Sequence, residues 1–480
     1  MAVTIIEQRP LYNLLPVGQE LIFVCSNDAA VTTETKVKLV AQVHISSNAI
    51  DLNTTTDLVG TFKTTPNNEG VGMFDFRSIA ENYLNSDNMA ADGSAYKLTT
   101  TSSSARHPLH LIDKFSLNTN AYRFMAIRFA VEYLGATDTA GQQNANIVRI
   151  AAGSEVDSNT QNLWNGYLKY SDILLIDSTG SGAGRFGFDF MPFILADTDS
   201  RFLTNAPTTQ YANLEDYGTV SFLTALTDVT RINLVYKNSA GVGIGGENVD
   251  LTTANGAYTN ILTSNDALLH FGCFPANLRN WSTIFNGLVT AGTIQGGSIE
   301  IQALSLTTER SQTYTIDLNC PNTKGYESIR LCWLNQWGGW DYYTFTKKSV
   351  KSINTNGSTY NQLAGTWNES QYRIDSYKGG KKAFRVNSTE SILMNTGFVL
   401  ESENVMFEEL INSPEVYELK GYGDDPFDAL SPSKTSALNT YVTPVRLKTS
   451  SFTRKTSSND RLLQYTFEIE KSKTLRTQSV

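Results

Sequence analysis

The chain has 480 residues and a formal net charge of −9, and hydrophobic residues make up 40% of it. This length exceeds what one ordinary core supports, so about three domains are expected. Charged residues are only 18% of the chain, below the ~25% typical of globular domains, which argues against long surface helices. No apolar run approaches the ~18 residues that a membrane-spanning helix needs.

Charge is distributed unevenly along the sequence. Residues 1–310 contain 18 basic and 29 acidic residues, a net charge of −11, whereas residues 311–480 contain 20 basic and 18 acidic residues, a net charge of +2. The more basic end could face the acidic part of another copy, or it could simply form a solvated basic face. We expect neither sequence-specific nucleic-acid binding nor membrane contact.

The cysteines Cys25, Cys273, Cys320 and Cys332 form no Cys-x-x-Cys pair or other metal-ligand spacing. Buried, reduced thiols are therefore expected, and no metal or other cofactor is predicted. The opening MAVTIIEQRPLYNLLPVG lacks a basic segment followed by a long apolar one. We therefore expect synthesis in a cytoplasm.

Residues 1–135 are predicted to form an N-terminal β-sandwich-like domain with one short helix. Runs rich in β-branched and aromatic residues predict strands at Glu20–Cys25, Lys36–Ile45 and Tyr122–Tyr133. Apolar residues at helical spacing predict a helix over Phe74–Leu84, with Asp75 as its N-cap. A Ser/Thr/Asn-rich stretch at 85–110 predicts a long loop.

Residues 136–310 are predicted to form a central β-rich domain, with strands at 147–151, 172–176, 220–223, 231–236 and 298–305. Two glycine patterns in this region imitate a dinucleotide-binding loop, at Gly182, Gly184 and Gly187 and at Gly241, Gly243 and Gly246. Such a loop binds pyrophosphate only where a helix begins at its third glycine. Neither pattern is followed by a helical sequence, so a flexible turn and a hairpin loop are predicted.

Residues 311–480 are predicted to form a C-terminal β domain with a tryptophan-rich hairpin and one short helix. The segment IRLCWLNQWGGWDYYTF (Ile329–Phe345) predicts two strands joined at Gly338-Gly339. The polar stretch Ser352–Gln371 and residues 421–440 predict loops, and Glu401–Leu410 predicts a helix. Clean alternation predicts a final strand at Leu463–Glu470. The whole chain is thus predicted to be mainly β, with several β-sandwich-like domains and a few short helices.

The tryptophan hairpin also supplies the candidate site residues. Trp337, Trp340 and Tyr342 are expected near its tip, where they could pack on a neighbouring domain or subunit, or stack on a sugar. Catalytic alternatives are weaker, because His107 and His110 lack evident partners and no Gly-x-Ser-x-Gly elbow occurs. The acids Asp197 and Asp199, and Asp424, Asp425 and Asp428, are expected to be solvated loop residues. The hypothesis is therefore that the protein is not an enzyme.

Four blocks carry a family resemblance: TPNNEGVGMFDF (Thr65–Phe76), RFLTNAP (Arg201–Pro207), the tryptophan hairpin, and SFTRKTSSNDRLLQYTFEIEKSKTLRTQ (Ser451–Gln478). In this order they resemble virion structural proteins of tailed bacteriophages.

The resemblance implies a β-rich component of the tail, neck (collar) or baseplate, present in several copies in a symmetric assembly. Its partners would be copies of itself and other virion proteins, and it would be made in the host cytoplasm and located in the virion. The resemblance assigns no site residues. The alternative hypothesis is a receptor- or glycan-binding tail protein whose partner is a host surface glycan.

Overall fold

Short strands separated by turns account for most of the chain in the computed structural model, which describes residues 3–10, 14–54, 57–86, 115–169, 193–224, 229–251, 268–318, 325–366, 368–420, 442–454, 463–473 and 475–476. The fold is mainly β, with several multi-stranded sheets and a few short helices, as the composition predicts. Among the described residues, no helix is both long enough and apolar enough to cross a membrane.

Five α-helices are described: α1 (Asp28–Thr33), α2 (Arg77–Ala80), α3 (Pro275–Trp281), α4 (Thr283–Thr290) and α5 (Asn404–Asn412). The predicted helix at Phe74–Leu84 begins later than expected, because the strand Val71–Asp75 occupies the chain up to Asp75. Asp75 nonetheless acts near the helix start, since its Oδ1 accepts the Arg77 N–H at 3.0 Å. The predicted helix at Glu401–Leu410 is confirmed as a 3₁₀ turn over Glu401–Glu403 followed by α5.

The N-terminal part is a sandwich of two sheets. Its strands are β1 (Ile5–Gln8), β2 (Leu14–Pro16), β3 (Ile22–Ser26), β4 (Lys38–Ser46), β5 (Leu58–Thr64), β6 (Val71–Asp75), β7 (Phe115–Asn118), β8 (Tyr122–Leu134), β9 (Val148–Ile150), β10 (Val156–Asp157) and β11 (Gln161–Trp164). One sheet has the order β1-β3-β6, and the other has the order β2-β11-β8-β4-β5, with β9 and β10 also paired to β8. Phe23 and Phe129, from opposite sheets, have ring centroids 5.7 Å apart in the N-terminal core.

The central part contains β12 (Thr209–Tyr211), β13 (Thr219–Leu223), β14 (Arg231–Lys237), β15 (Gly243–Asp250), β16 (Leu268–Gly272), β17 (Ser298–Ser305), β18 (Thr308–Glu309) and β19 (Tyr314–Asp317). One sheet has the order β12-β19-β17-β14-β15, and β13-β16-β7 form another. The predicted hairpin loop with Gly241 is confirmed, because it joins β14 to β15 and Gly241 has a φ of 76°. Residues including Phe271, Phe274 and Phe285 form the central core.

The C-terminal part is one sheet with a helix packed on it. Its strands are β20 (Ile329–Leu334), β21 (Trp340–Phe345), β22 (Val350–Gln362), β23 (Gly380–Asn395), β24 (Val416–Leu419), β25 (Val442–Leu447), β26 (Thr466–Lys471) and β27 (Leu475–Arg476). The order is β21-β20-β24-β25-β26-β23-β22. Phe345, Phe407 and Phe467 meet in the C-terminal core. The predicted final strand is confirmed, since Tyr465, Phe467 and Ile469 are all buried.

The sheets cross both predicted domain boundaries. β9, β10 and β11 lie after residue 135, yet each pairs with β8. β7 lies before residue 135, yet it pairs with β16 of the central part. β19 lies after residue 310 yet pairs with β17 and β12. These pairings join segments far apart in sequence, so local composition does not reveal them.

Some sequence predictions lie outside the described residues. They are the strand at 172–176, the glycine pattern at 182–187, the loops at 87–110 and 421–440, His107 and His110, Cys320, and the acids at 424–428.

Candidate interaction site

The tryptophan hairpin forms as predicted, but its tip is not exposed. β20 and β21 pair from Ile329↔Phe345 to Leu334↔Trp340, and Gly338 takes a φ of 78° at the turn. Asn335 closes this turn, because its Oδ1 accepts the N–H groups of Trp337 and Gly339 at 3.0 and 2.9 Å. Trp337, Trp340 and Tyr342 are only 3%, 2% and 6% exposed. Of the two alternatives, these rings thus pack on neighbouring parts of the chain, and none of the three is open to a sugar.

The three tryptophans of the hairpin enter three different cores. Trp333 lies in the C-terminal core and Trp340 in the central core. Trp337 lies in a further cluster, here called the junction core, where its ring centroid is 4.5 Å from that of Phe193; the cluster also contains Tyr122, Trp164, Leu203, Leu223 and Leu268. Residues from all three predicted regions thus pack on one hairpin. The hairpin therefore holds the N-terminal, central and C-terminal regions against one another.

Tyr342 supports a buried arginine. The Arg330 guanidinium lies 5.1 Å from the Phe274 ring centroid and 5.2 Å from that of Tyr342. It donates to the Tyr217 carbonyl at 2.7 and 2.8 Å, and it pairs with Asp216 at 3.4 Å. Such a buried cation is stable only when it is paired and hydrogen-bonded in this way. These contacts join β20 and β21 to the segment that precedes β13.

Two buried carboxyl groups meet behind the hairpin. Asp341 on β21 and Glu409 on α5 are each 3% exposed, and the charge of Asp341 acts on Glu409. Thr204 donates to Asp341, and the Asn205 amide donates to Glu409. Burial raises the pKa of Asp341 to about 6, and burial together with the charge of Asp341 raises the pKa of Glu409 well above its usual range. Both carboxyl groups therefore ionise less readily than carboxyl groups in water.

The most exposed feature of the described chain is a β-ribbon, here called the arm, formed by β22 and β23 with their connection (residues 350–395, of which residue 367 is not described). The two strands pair from Val350↔Leu393 to Gln362↔Gly380. At about 3.3 Å per residue, β22 spans about 40 Å. Only the base of β23 is held by other strands, through β26 at residues 391–395 and β27 at residues 387–388. The predicted loop at Ser352–Gln371 is thus mostly strand.

The arm exposes apolar side chains that have nothing to bury them within the described chain. Leu363, Tyr372, Ile374 and Tyr377 near its end are 66–74% exposed, and Ile353 on β22 is 63% exposed. An isolated two-stranded ribbon is marginally stable in water. β22 also ends the strand order of its sheet, so its outer row of backbone groups has no strand partner among the described residues. Both properties are typical of a segment that is covered by another polypeptide.

The arm is also positively charged. It contains six basic and three acidic residues. The acids Glu369, Asp375 and Glu390 all lie in ion pairs with lysine or arginine. Lys381 and Arg385 are exposed and make no ion pair within the described residues. An acidic surface is therefore the electrostatic complement of the arm.

Sequence analysis missed the arm as a structured site. Its strands are rich in Asn, Ser and Thr on both faces, so they show no alternation of apolar and polar residues. The available signals were Gly379-Gly380, which adopt φ values of 103° and 77°, and isolated apolar residues within a polar stretch.

Chemical sites are not evident in the described part of the chain. No group of three or more His, Cys, Asp or Glu side chains that could hold a metal occurs there. Burial raises the pKa of the Cys25 thiol to about 12 and that of Cys273 and Cys332 further, so these three are poor nucleophiles. Asp197 and Asp199 are exposed loop residues, as predicted.

Comparisons with known proteins identify no family for this chain. No protein-family model matches the chain, and no curated protein matches it. Among solved structures, the native conformation of E. coli alpha-2-macroglobulin is similar over 83% of this chain and 22% of its own length, with 9% sequence identity and a TM-score of 0.17. A similarity this weak carries no argument about fold or function.

Proposed function

We propose that this protein is a structural subunit of a tailed-bacteriophage virion, located in the tail, neck or baseplate, and that it works through protein–protein contacts without catalysing a reaction. The observation that carries the proposal is the arm. It is long, exposed on both faces, rich in uncovered apolar side chains near its end, and open along one strand edge. A segment of this kind gains stability when a neighbouring subunit buries it.

The interior of the protein supports the same role. One hairpin contributes a tryptophan to each of three cores, and a buried arginine and a buried acid pair join distant segments. This arrangement suits a body that holds its shape while the arm makes contacts. The four sequence blocks that resemble virion proteins of tailed bacteriophages are the reason for proposing that this assembly is a phage particle.

The proposal is tested with purified particles. Mass spectrometry of phage particles banded on a density gradient should detect the chain in several copies per particle. Particles grown with a variant in which residues 357–386 are replaced by Asn-Gly should lack the chain or fail to assemble. This replacement retains the Asn356↔Asn387 pair and the β27 contacts, so the base of the sheet is preserved. Incorporation of the armless variant at wild-type levels would contradict the proposal.

A further inference from the structure

A cleft at the base of the arm combines features of a strand-binding site. It has a volume of 530 Å³ and is lined by residues 207–213, by β21 and by residues 397–400. Tyr211, Phe398 and Leu400 line it and are 67%, 65% and 53% exposed. The cleft thus lies beside an outer strand of the central sheet and presents apolar side chains to solvent.

The outer strand is β12, which pairs in parallel with β19 and with no other strand described. Thr315 N–H donates to the Thr208 carbonyl, and Ala212 N–H donates to the Asp317 carbonyl. In a parallel ladder the residues that face the partner alternate along the strand. The backbone N–H and C=O groups of Thr209 and Tyr211 therefore point away from β19, along the side where a further strand could add.

The charges of the residues that line the cleft indicate which segment could bind in it. Its lining contains the carboxyl group of Glu403 and that of Asp216, which is paired with Arg330, and no lysine or arginine lines it. The arm carries a net charge of +3, an unpaired strand edge and exposed apolar residues near its end. Pairing of two arms would place like charges side by side, which is unfavourable. The arm is therefore a better match for the cleft than for another arm.

The arm in the cleft must come from another molecule. β23 ends at Asn395, and the cleft lining resumes at Gly397, so each chain's cleft lies at the base of its own arm. The far end of that arm lies about 40 Å along the ribbon. A chain cannot reach its own cleft with this end while β22 and β23 remain paired.

We infer that the arm of one copy docks in the cleft of a second copy, with the edge of β22 adding to β12. This inference rests on the proposed function, because it names the partner of the arm. The contact joins two different surfaces, so it is heterologous, and repetition generates a ring or a filament. The recognition mode is strand addition, in which backbone hydrogen bonds supply affinity and side-chain contacts supply specificity.

The test uses three variants, each of which loses one half of the contact. The armless variant, with residues 357–386 replaced by Asn-Gly, retains the cleft. The cleft variant Tyr211→Lys retains the arm and places a positive charge in its way. Thr209→Pro is a second cleft variant, which removes an N–H that β19 does not use and that an edge strand tolerates losing. Tyr326→Lys, at an exposed tyrosine outside the cleft, is the matched control.

Sedimentation velocity should show that the wild type and Tyr326→Lys associate with increasing concentration, whereas the armless and cleft variants remain monomers. A mixture of the armless and cleft variants should form a 1:1 dimer and nothing larger. Association of both cleft variants at wild-type strength, a mixture that stays monomeric, or a wild type that is monomeric throughout would overturn the inference. Each of those results would leave the proposed function standing, because that proposal is tested separately, by whether the chain and its armless variant are present in purified particles.

Discussion

The carboxyl groups of Asp341, on the tryptophan hairpin, and Glu409, on helix α5, are both 3% exposed and accept hydrogen bonds from the adjacent residues Thr204 and Asn205. Burial disfavours the ionisation of both acids, and the charge of Asp341 disfavours that of Glu409 further, so both pKa values are raised. Through Thr204 and Asn205 the two acids link a strand to the helix that packs on its sheet. The stability of the fold therefore depends on the protonation of two residues 68 positions apart in sequence.

The acid pair should make stability pH-dependent in a defined direction. The folded-state pKa of Asp341 is raised to about 6, so the native protein holds a proton that the unfolded chain releases near pH 4. The stability from this proton is complete below pH 4 and is lost as pH rises through 6. Urea unfolding between pH 4.5 and 8 should show a smaller loss for Asp341→Asn than for the wild type. Asp199→Asn, at an exposed carboxylate, is the control, and equal slopes for all three proteins would contradict the prediction.

Trp337 should contribute heavily to stability because it fills the junction core. Truncation of a buried tryptophan to alanine costs about 3–5 kcal/mol. We expect Trp337→Ala to lower the free energy of unfolding by this amount, measured by urea denaturation. Tyr372→Ala, at an exposed aromatic residue of the arm, should change it little. A small change in the free energy of unfolding for Trp337→Ala would mean that the hairpin does not hold the three regions of the chain together.

Arg330 should contribute to stability because it compensates the buried negative charge of Asp216. Removal of one member of a buried ion pair leaves an uncompensated charge and costs about 3–5 kcal/mol. Arg330→Met should therefore destabilise the protein in urea by this amount. The double variant Arg330→Met/Asp216→Asn should recover part of the loss. If the double variant is less stable than the single one, the buried charge of Asp216 is not the cause.

The arm should exchange its backbone hydrogens quickly in the isolated chain, because its far half packs on nothing but itself. Hydrogen exchange followed by mass spectrometry should show fast exchange in residues 354–362 and 380–386 and slow exchange in β20 and β21. After assembly the arm residues should become protected while β20 and β21 change little. Equal protection of the arm before and after assembly would argue against a covered arm.

These features differ in how far the sequence predicts them. The hairpin at Gly338-Gly339, the alternating final strand and the helix after Glu401 follow from local patterns, and the structure confirms them. The burial of Trp337 does not, because Phe193 and Trp164, which pack around it, lie more than 140 residues away in sequence. The strands of the arm show no alternation of apolar and polar residues, because both faces of the ribbon are exposed to solvent. Strand pairing across the predicted limits near 135 and 310 does not follow from local patterns either, because it joins segments far apart in sequence.

The cleft could not have been anticipated from local sequence. Tyr211 and Phe398 line it from segments 187 residues apart, and neither lies in a recognisable motif. Its formation depends on the strand order, which leaves β12 at the edge of the central sheet. Only the pairing of β12 with β19 shows which backbone groups remain available.

The central claim is that the arm is a contact element between subunits of a virion. An electron-microscopy map of the intact particle tests it most directly. We expect density for β22 and β23 packed against a neighbouring polypeptide, with Leu363, Tyr372 and Ile374 buried in the contact. A map in which the chain is present but its arm extends into solvent with no neighbour would contradict the claim.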